Sequence, residues 1–265
     1  MEFRRLVRGR VDWPRLEAVV RELRERYGRE ELHVRFLDAD NWLSTPMVVD
    51  DEWFVKVISK QNSLVHALFT TGRNLGAFSS GTEGFFEHFG TPMEMAEHEL
   101  EATRRMRDIG LNAPEPVEAF EVEGLGVLVL EYLPHFRSLD TLDRESEVRL
   151  APVVFSALRT MHDHGLAHGD LRAENVLIVD DDVYFIDATN VSDEGAADSK
   201  SYDVACALAA MEPLIGPKAT VDAALDSYTP VELLAAFEFL DFVNIRPDHD
   251  FDAAALKGVI EQRAT

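Results

Sequence analysis

The chain has 265 residues, 46% of them hydrophobic, and sets 49 acidic side chains against 26 Lys and Arg, a formal charge of −23. That length and apolar fraction suffice for one two-lobed domain or two small ones, and so acidic a surface repels nucleic acid unless a local basic patch overrides it. No apolar run approaches the ~20 residues of a membrane span, and the opening Met1-Glu2-Phe3-Arg4-Arg5 lacks the apolar core of a secretion signal.

The one cysteine, Cys206, rules out an internal disulfide and fits a reducing, cytoplasmic setting. It lies in the apolar run Val204–Met211 and reads as a small core residue. Arginines concentrate near the start (Arg4, Arg5, Arg8, Arg10, Arg15, Arg21, Arg24, Arg26), but interleaved glutamates make this stretch a solvated helix rather than a phosphate-binding arm.

In chain order, Trp13, Leu16, Val19, Val20, Leu23 and Tyr27 fall at helical spacing and predict one buried stripe, with Pro14 in the first turn and Gly28 at the stop. From Leu32 the pattern turns to strands at Leu32–Leu37, Pro46–Val49 and Glu52–Ile58, with Asp50-Asp51 as the turn between the last two. In Glu52–Ile58 one face carries Trp53, Val55 and Val57, and the other carries Phe54 and Ile58 with Lys56 between them. A lysine inside a run buried on both sides is costly unless an anion meets it.

Residues 60–91 are polar, aromatic and dotted with glycine. Met93–Ile109 is a helix by spacing, ended by Gly110 and Pro114. Of its acids Glu97, Glu99 and Glu101, only Glu99 is put on the packed face by its neighbours, Ala102, Thr103 and Met106 at i+3, i+4 and i+7. Val117–Val122 and Gly126–Glu131 are two further strands, followed by the connector Glu131-Tyr132-Leu133-Pro134.

Leu150–His164 is a helix leading into the stretch around which the chain is organised, A-H-G-D-L-R-A-E-N-V-L-I-V-D-D-D-V-Y-F-I-D-A-T-N from Ala167 to Asn190. Two short apolar runs, Val176–Val179 and Val183–Ile186, flank Asp180-Asp181-Asp182, a hairpin pattern. That hairpin returns Asp187 beside the loop holding Asp170 and Asn175, so three oxygen-bearing side chains converge at one end. Magnesium takes such hard ligands together with phosphate oxygens. His162, His164 and His168 invite a zinc reading, but no cysteine lies near to close a four-ligand site, and His168 is read as a residue that shapes the loop. Beyond it, Ser201–Leu214 is an apolar helix with Asp203 near its start, and Val221–Leu225, Val231–Val243 and Phe251–Arg263 add helices without a readable motif.

The segment His168-Gly169-Asp170 … Asn175 … Asp187 resembles the catalytic and metal-binding loops of the protein-kinase-like superfamily, H-x-D-x-x-x-x-N followed by a strand ending in Asp. The H-G-D form, with I-D-A-T-N after the strand, is most similar to the atypical RIO and Bud32 kinases. The resemblance implies an α+β, bilobal fold: residues 1–30 a helix packed on the N-lobe, 31–131 a small antiparallel β-sheet N-lobe with an insertion at about 60–92, and 132–265 a mainly helical C-lobe. It implies ATP and Mg²⁺ as cofactors. Asp170 would accept or orient the proton of the attacking hydroxyl, and Asn175 and Asp187 would hold magnesium. Lys56 would bind the α/β-phosphates, aimed by Glu99 or a neighbouring acid, and the backbone of Glu131 and Leu133 would meet adenine. Asp203 would receive backbone amides of the loop.

Three departures stand against the pattern. Residues 38–45 contain none of the glycines of the usual phosphate flap, Phe54 replaces the small residue two before the lysine, and no A-P-E sequence follows Asp187. Ser79-Ser80-Gly81-Thr82 in the insertion offers alternative amides for phosphate, or the insertion gates substrate.

The implied activity is an ATP- and Mg²⁺-dependent phosphotransferase, foremost a serine/threonine-protein kinase with possible ATPase turnover. The alternatives are a small-molecule kinase of the aminoglycoside or choline type, to which an acidic chain would attract cationic substrates, and a nucleotide-binding pseudokinase scaffold. Abundant Asp and Glu beside only five lysines also suggests adaptation to high salt, where self-repulsion is screened. The melting temperature is then expected to rise as potassium chloride is raised from dilute buffer; full stability without added salt would refute the idea.

Overall fold

In the computed structural model, which describes residues 11–37, 44–60, 90–188, 196–246 and 249–264, strand-forming and helical segments separate into two units. The first takes the described residues through 60 together with 90–104 and 114–134; the second takes 105–113 and the described residues from 135 onward. The glycine-free flap falls largely on residues 38–43 and the insertion on 61–89, both outside the described residues.

The first unit contains α1 (Trp13–Arg26), β1 (Val34–Phe36), β2 (Thr45–Val49), β3 (Trp53–Ile58), most of α2 (Pro92–Asp108), β4 (Pro116–Val122) and β5 (Leu125–Glu131). The strands form one antiparallel sheet in the order β1-β2-β3-β5-β4. Its tight hairpins use residues with left-handed backbone: Asp50 and Asp51 (φ 55° and 53°) between β2 and β3, Glu123 and Gly124 (φ 49° and 73°) between β4 and β5. Paired positive φ matches the right-handed strand twist, and the Asp50 carboxylate accepts the His33 amide at 2.7 Å.

Period-two alternation then gives the sheet two apolar faces. Met47, Val49, Trp53, Val55, Val57, Val127 and Val129 pack with Leu16, Val19 and Leu23 of α1. On the opposite face Ile58, Leu128 and Leu130 pack with Ala96 and Leu100 of α2. Trp13 departs from the expected stripe. It is 62% exposed and meets Phe36 of the edge strand β1 at a ring distance of 6.0 Å, because the first helical turn runs past the sheet margin.

The second unit contains β6 (Arg137–Ser138), α3 (Arg144–Asp163), β7 (Val176–Val179), β8 (Asp182–Phe185), α4 (Ala196–Ile215), α5 (Pro217–Leu225), α6 (Pro230–Asn244) and α7 (Ala253–Ala264). α3 starts at Arg144 rather than near Leu150. The Asp143 side chain caps it by accepting the Ser146 amide at 3.0 Å, and Glu145 and Glu147 favour the positive helix terminus, a polar start that apolar spacing does not reveal. β7 and β8 form the expected hairpin, turning at Asp180 and Asp181 (φ 50° and 72°), and the two-residue β6 adds a third strand beside β7. Cys206 is fully buried in α4, and burial pushes its thiol up to about 12, so it is an inert core residue. The chain is thus α+β, and among the described residues no helix is long and apolar enough to cross a membrane.

Gly126 fixes how closely α2 approaches the sheet. A Cβ there would lie 2.1 Å from the Pro92 carbonyl oxygen, a backbone atom that cannot swing aside. Gly126→Ala is therefore expected to destabilise the protein by about 1–3 kcal/mol, measured by urea unfolding; unaltered stability would show that α2 moves freely on the sheet.

Candidate active site

The alternation of β3 decides where its lysine goes. Trp53, Val55 and Val57 enter the core under α1, so Lys56 shares the opposite face with Phe54 and Ile58, on the α2 side. There Lys56 Nζ donates to both carboxylate oxygens of Glu99, at 3.0 and 2.9 Å. The two residues are only 6% and 9% exposed, and the Thr103 hydroxyl donates to the Glu99 carbonyl at 2.8 Å one turn on. Glu97 and Glu101, the competing acids, are exposed, and Glu101 pairs with Arg104. Removing one partner of such a pair strands a buried charge at a cost of about 3–5 kcal/mol.

At the end of β5 the backbone is partly committed. The Glu131 amide donates to the Glu115 carbonyl at 2.8 Å and the Tyr132 amide to the Glu52 carbonyl at 3.0 Å, while Leu133 is buried.

In the second unit, one buried carboxylate shapes the loop. Asp203 of α4, 0% exposed, accepts the His168 amide at 2.5 Å through Oδ2 and the Gly169 amide at 2.7 Å through Oδ1. Gly169 has φ 80°, which explains the glycine of H-G-D. His162 Nε2 lies 3.2 Å from Asp203 Oδ2, and its Nδ1 lies 3.0 Å from the Tyr228 hydroxyl. The Asp203 carboxylate can only accept, so Nε2 carries the proton that faces it, and burial pushes the Tyr228 phenol strongly up.

Two side chains then stitch the loop to the strand that carries Asp187. Asn175 donates its side-chain amide to the Asp170 carbonyl at 2.9 Å, and its own carbonyl accepts the Ile186 amide at 3.1 Å. His168 Nε2 lies 3.1 Å from the Ile186 carbonyl, which can only accept, so Nε2 carries the proton. Full burial holds the His168 pKa below its ordinary value, leaving Nδ1 unprotonated and facing the Asp170 amide at 3.4 Å. Asp187, the next residue, has left-handed backbone with φ 59°, a conformation Asp tolerates and one that recurs at functional turns.

Asp170 itself is 8% exposed. Its Oδ1 is 2.5 Å from Arg246 Nη2, and its Oδ2 is 3.4 Å from Arg172 Nε. Arg172 also pairs with Glu174, and Arg246 Nη1 donates to the Tyr202 hydroxyl.

The three histidines do not gather. His162 serves Asp203, His164 Nδ1 contacts the Thr160 carbonyl, and His168 contacts Ile186. Among the described residues no group of three or more His, Cys, Asp or Glu side chains is placed to hold a metal ion. The donor set still fits magnesium. The Asn175 amino group is held by the Asp170 carbonyl, which leaves the Asn175 amide oxygen and the Asp187 carboxylate as hard oxygen donors of the kind magnesium takes together with phosphate oxygens and water.

Sequence reasoning missed both arginines and Tyr228. Arg172 had a signal, its position two residues after Asp170 inside the loop. Arg246 and Tyr228 had none, since they reach the site only through tertiary packing.

A RIO domain family model matches residues 90–214, the stretch that holds Glu99, Asp170, Asn175, Asp187 and Asp203. The chain is 27% identical over 123 residues to the KEOPS complex subunit Bud32 of Pyrococcus abyssi, covering 45% of this chain and 54% of that protein. It is 29% identical over 143 residues to 3-deoxy-D-manno-octulosonic acid kinase of Vibrio cholerae, covering 51% and 58%. The chain thus spans little more than half the length of the curated relatives it matches. Among solved structures it resembles the Rio2 kinase–ADP/Mg²⁺–phosphoaspartate complex from Chaetomium thermophilum, with a TM-score of 0.52 and 15% identity over 96% of this chain and 77% of that one. It also resembles a type VIII aminoglycoside-3'-phosphotransferase, with a TM-score of 0.52 and 18% identity over 87% and 99%. These two likenesses establish the fold, which is protein-kinase-like.

Burial of neutral His168 makes stability depend on pH. Below the ordinary value of 6.5 the unfolded chain binds a proton that the folded chain refuses, so stability falls as pH drops through that value. His168→Gln lacks this loss while sharing every other histidine. The excess stability of wild type over His168→Gln is expected to shrink from about pH 7.5 to about pH 5.5 in urea unfolding. A constant gap would mean that the ring takes up its proton inside the fold.

Proposed function

We propose that the chain is an ATP-dependent phosphotransferase of the RIO/Bud32 type that phosphorylates a hydroxyl group, a reading supported by the RIO domain model over residues 90–214, the likeness to Bud32 and the protein-kinase-like fold. The observation that carries this reading is the stitching of one loop, in which Asn175 holds the Asp170 carbonyl and the Ile186 amide together, one residue before Asp187. Fixed positions for a proton acceptor and two oxygen ligands are what phosphoryl transfer demands, since its catalysis is positioning and electrostatics.

Each side chain has one task in this reading. Asp170 orients the acceptor hydroxyl and takes its proton as the oxygen bonds to the γ-phosphorus and the β–γ bridge breaks, releasing ADP. Asn175 and Asp187 would hold magnesium, which when bound offsets the negative charge of the phosphates. Lys56, aimed by Glu99, binds the α/β-phosphates, and the chain at Glu131 and Leu133 receives adenine through its backbone.

The acceptor is a serine or threonine of a protein. The RIO-domain match supports this, as does the relative described as a subunit of a complex. A second reading, a small-molecule acceptor, draws on the match to a sugar-acid kinase and on α4 beginning at Ala196, soon after Asp187, with little chain for a long activation segment.

Purified protein is expected to turn over ATP with magnesium, and Asp170→Ala and Asp187→Ala to lower the rate by about 10²–10⁴-fold. Equal rates from all three proteins would end the enzyme reading. Labelled ATP with a cell extract, separated by size, then distinguishes the acceptors: label in macromolecules supports the protein reading, and label confined to small molecules supports the second.

A further inference from the structure

The Arg246 guanidinium, although 76 residues distant in sequence, is bound to the proposed proton acceptor. It lies just beyond the end of α6 with its side chain 8% exposed. One nitrogen donates to Asp170 Oδ1 at 2.5 Å and the other to the hydroxyl of Tyr202, which is fully buried in α4. A guanidinium is planar with donors in a fixed fork, so two simultaneous acceptors set its plane as well as its place. Here the fork spans a core tyrosine and a loop carboxylate.

We infer that Arg246 is a positioning residue for phosphotransfer, holding the Asp170 carboxylate in the orientation in which it meets the acceptor hydroxyl. This deepens the phosphotransferase reading and rests on it. The backbone of the loop is set by Asp203 and Asn175, but neither touches the Asp170 carboxylate in the bonds described above; Arg246 and Arg172 do. Arg172 Nε stands at 3.4 Å from Oδ2, a looser contact than that of Arg246, and Arg172 is more exposed, at 23% of its side chain. The tight, enclosed contact therefore sets the rotamer of the Asp170 side chain. Arg246 is also unsuited to be a removable brake, because withdrawing it would break its bond to Tyr202 inside the helical core.

Two measurements test this on the full chain. The first is a double-mutant cycle in thermal unfolding with Asp170→Asn and Arg246→Gln, which requires no turnover. The two shifts in melting temperature are expected to be non-additive, the double variant losing less than the sum. The second compares kcat and the KM for ATP. Arg246→Gln is expected to lower kcat about 10²-fold, the cost of a small misplacement, while KM stays within about threefold, since the nucleotide is held by other residues. Tyr202→Phe, the milder variant, removes only the second anchor and is expected to lower kcat about fivefold. Guanidinium ion added at low, non-denaturing concentration is expected to restore part of the kcat of Arg246→Ala, which a purely structural arginine would not allow.

Additive shifts with an active wild type overturn the inference alone. Non-additive shifts with unchanged kcat in Arg246→Gln and Tyr202→Phe reduce Arg246 to a structural residue and overturn it too. A wild type without any ATP turnover refutes the phosphotransferase reading and takes the catalytic role of Arg246 with it.

Discussion

The helical unit depends on one buried carboxylate. Asp203 accepts two consecutive amides, those of His168 and Gly169, from a turn that only a left-handed glycine closes easily. Successive amides in such a turn form a concave anion-binding surface, and here a side chain of the chain itself fills it. Without that carboxylate two buried amides would lack acceptors, at about 1–3 kcal/mol each. His162 of α3 and, behind it, Tyr228 between α5 and α6 hold the carboxylate from its other side. The loop is thus tied to three parts of the helical core, and the positions of Asp170 and Asn175 inherit the rigidity of that core.

The sheet unit solves a different problem, keeping an ammonium inside an apolar layer. Strand parity puts Lys56 on the α2 face, Gly126 lets α2 settle against β5, and Glu99 arrives opposite the amine. Each condition is local, but the ion pair needs all three. Its stability contribution is modest because desolvating two charges offsets most of their attraction. What the arrangement provides is an amine held in one place among residues that otherwise exclude water.

Much of this was legible before any coordinates. The strands, the hairpin and the loop of Asp170 and Asn175 declare themselves through alternation, turn residues and fixed spacing, all within a few residues of one another. Glu99 was separable from Glu97 and Glu101 because helical periodicity distinguishes a packed face from a solvated one. The polar first turn of α3 was invisible because its signal is a cap, Asp143, and not an apolar stripe. The exposure of Trp13 was invisible for the opposite reason, since its spacing fits the stripe while the sheet beneath it ends. Arg246 and Tyr228 lie just outside helices, and nothing in the sequence near them names a partner that tertiary packing alone supplies.

The placement of buried charge carries the functional argument one step further. Among the described residues the buried acidic and basic side chains, histidines aside, are Lys56, Glu99, Glu147, Asp170, Asp203 and Arg246. All but Glu147 belong to the contacts around Lys56 and Asp170. A core selected for stability alone would replace ion pairs of this kind with apolar side chains of similar volume at little loss or some gain. Among the described residues nearly all acids lie outside the core, yet three carboxylates and two cations sit inside it at these two places, a penalty accepted where fixed charges are useful. Preorganised charge is the main resource of an enzyme acting on a polyphosphate. The same reasoning separates Arg246 from the surface arginines: its ion pair is enclosed, so its geometry is set by packing rather than averaged by solvent.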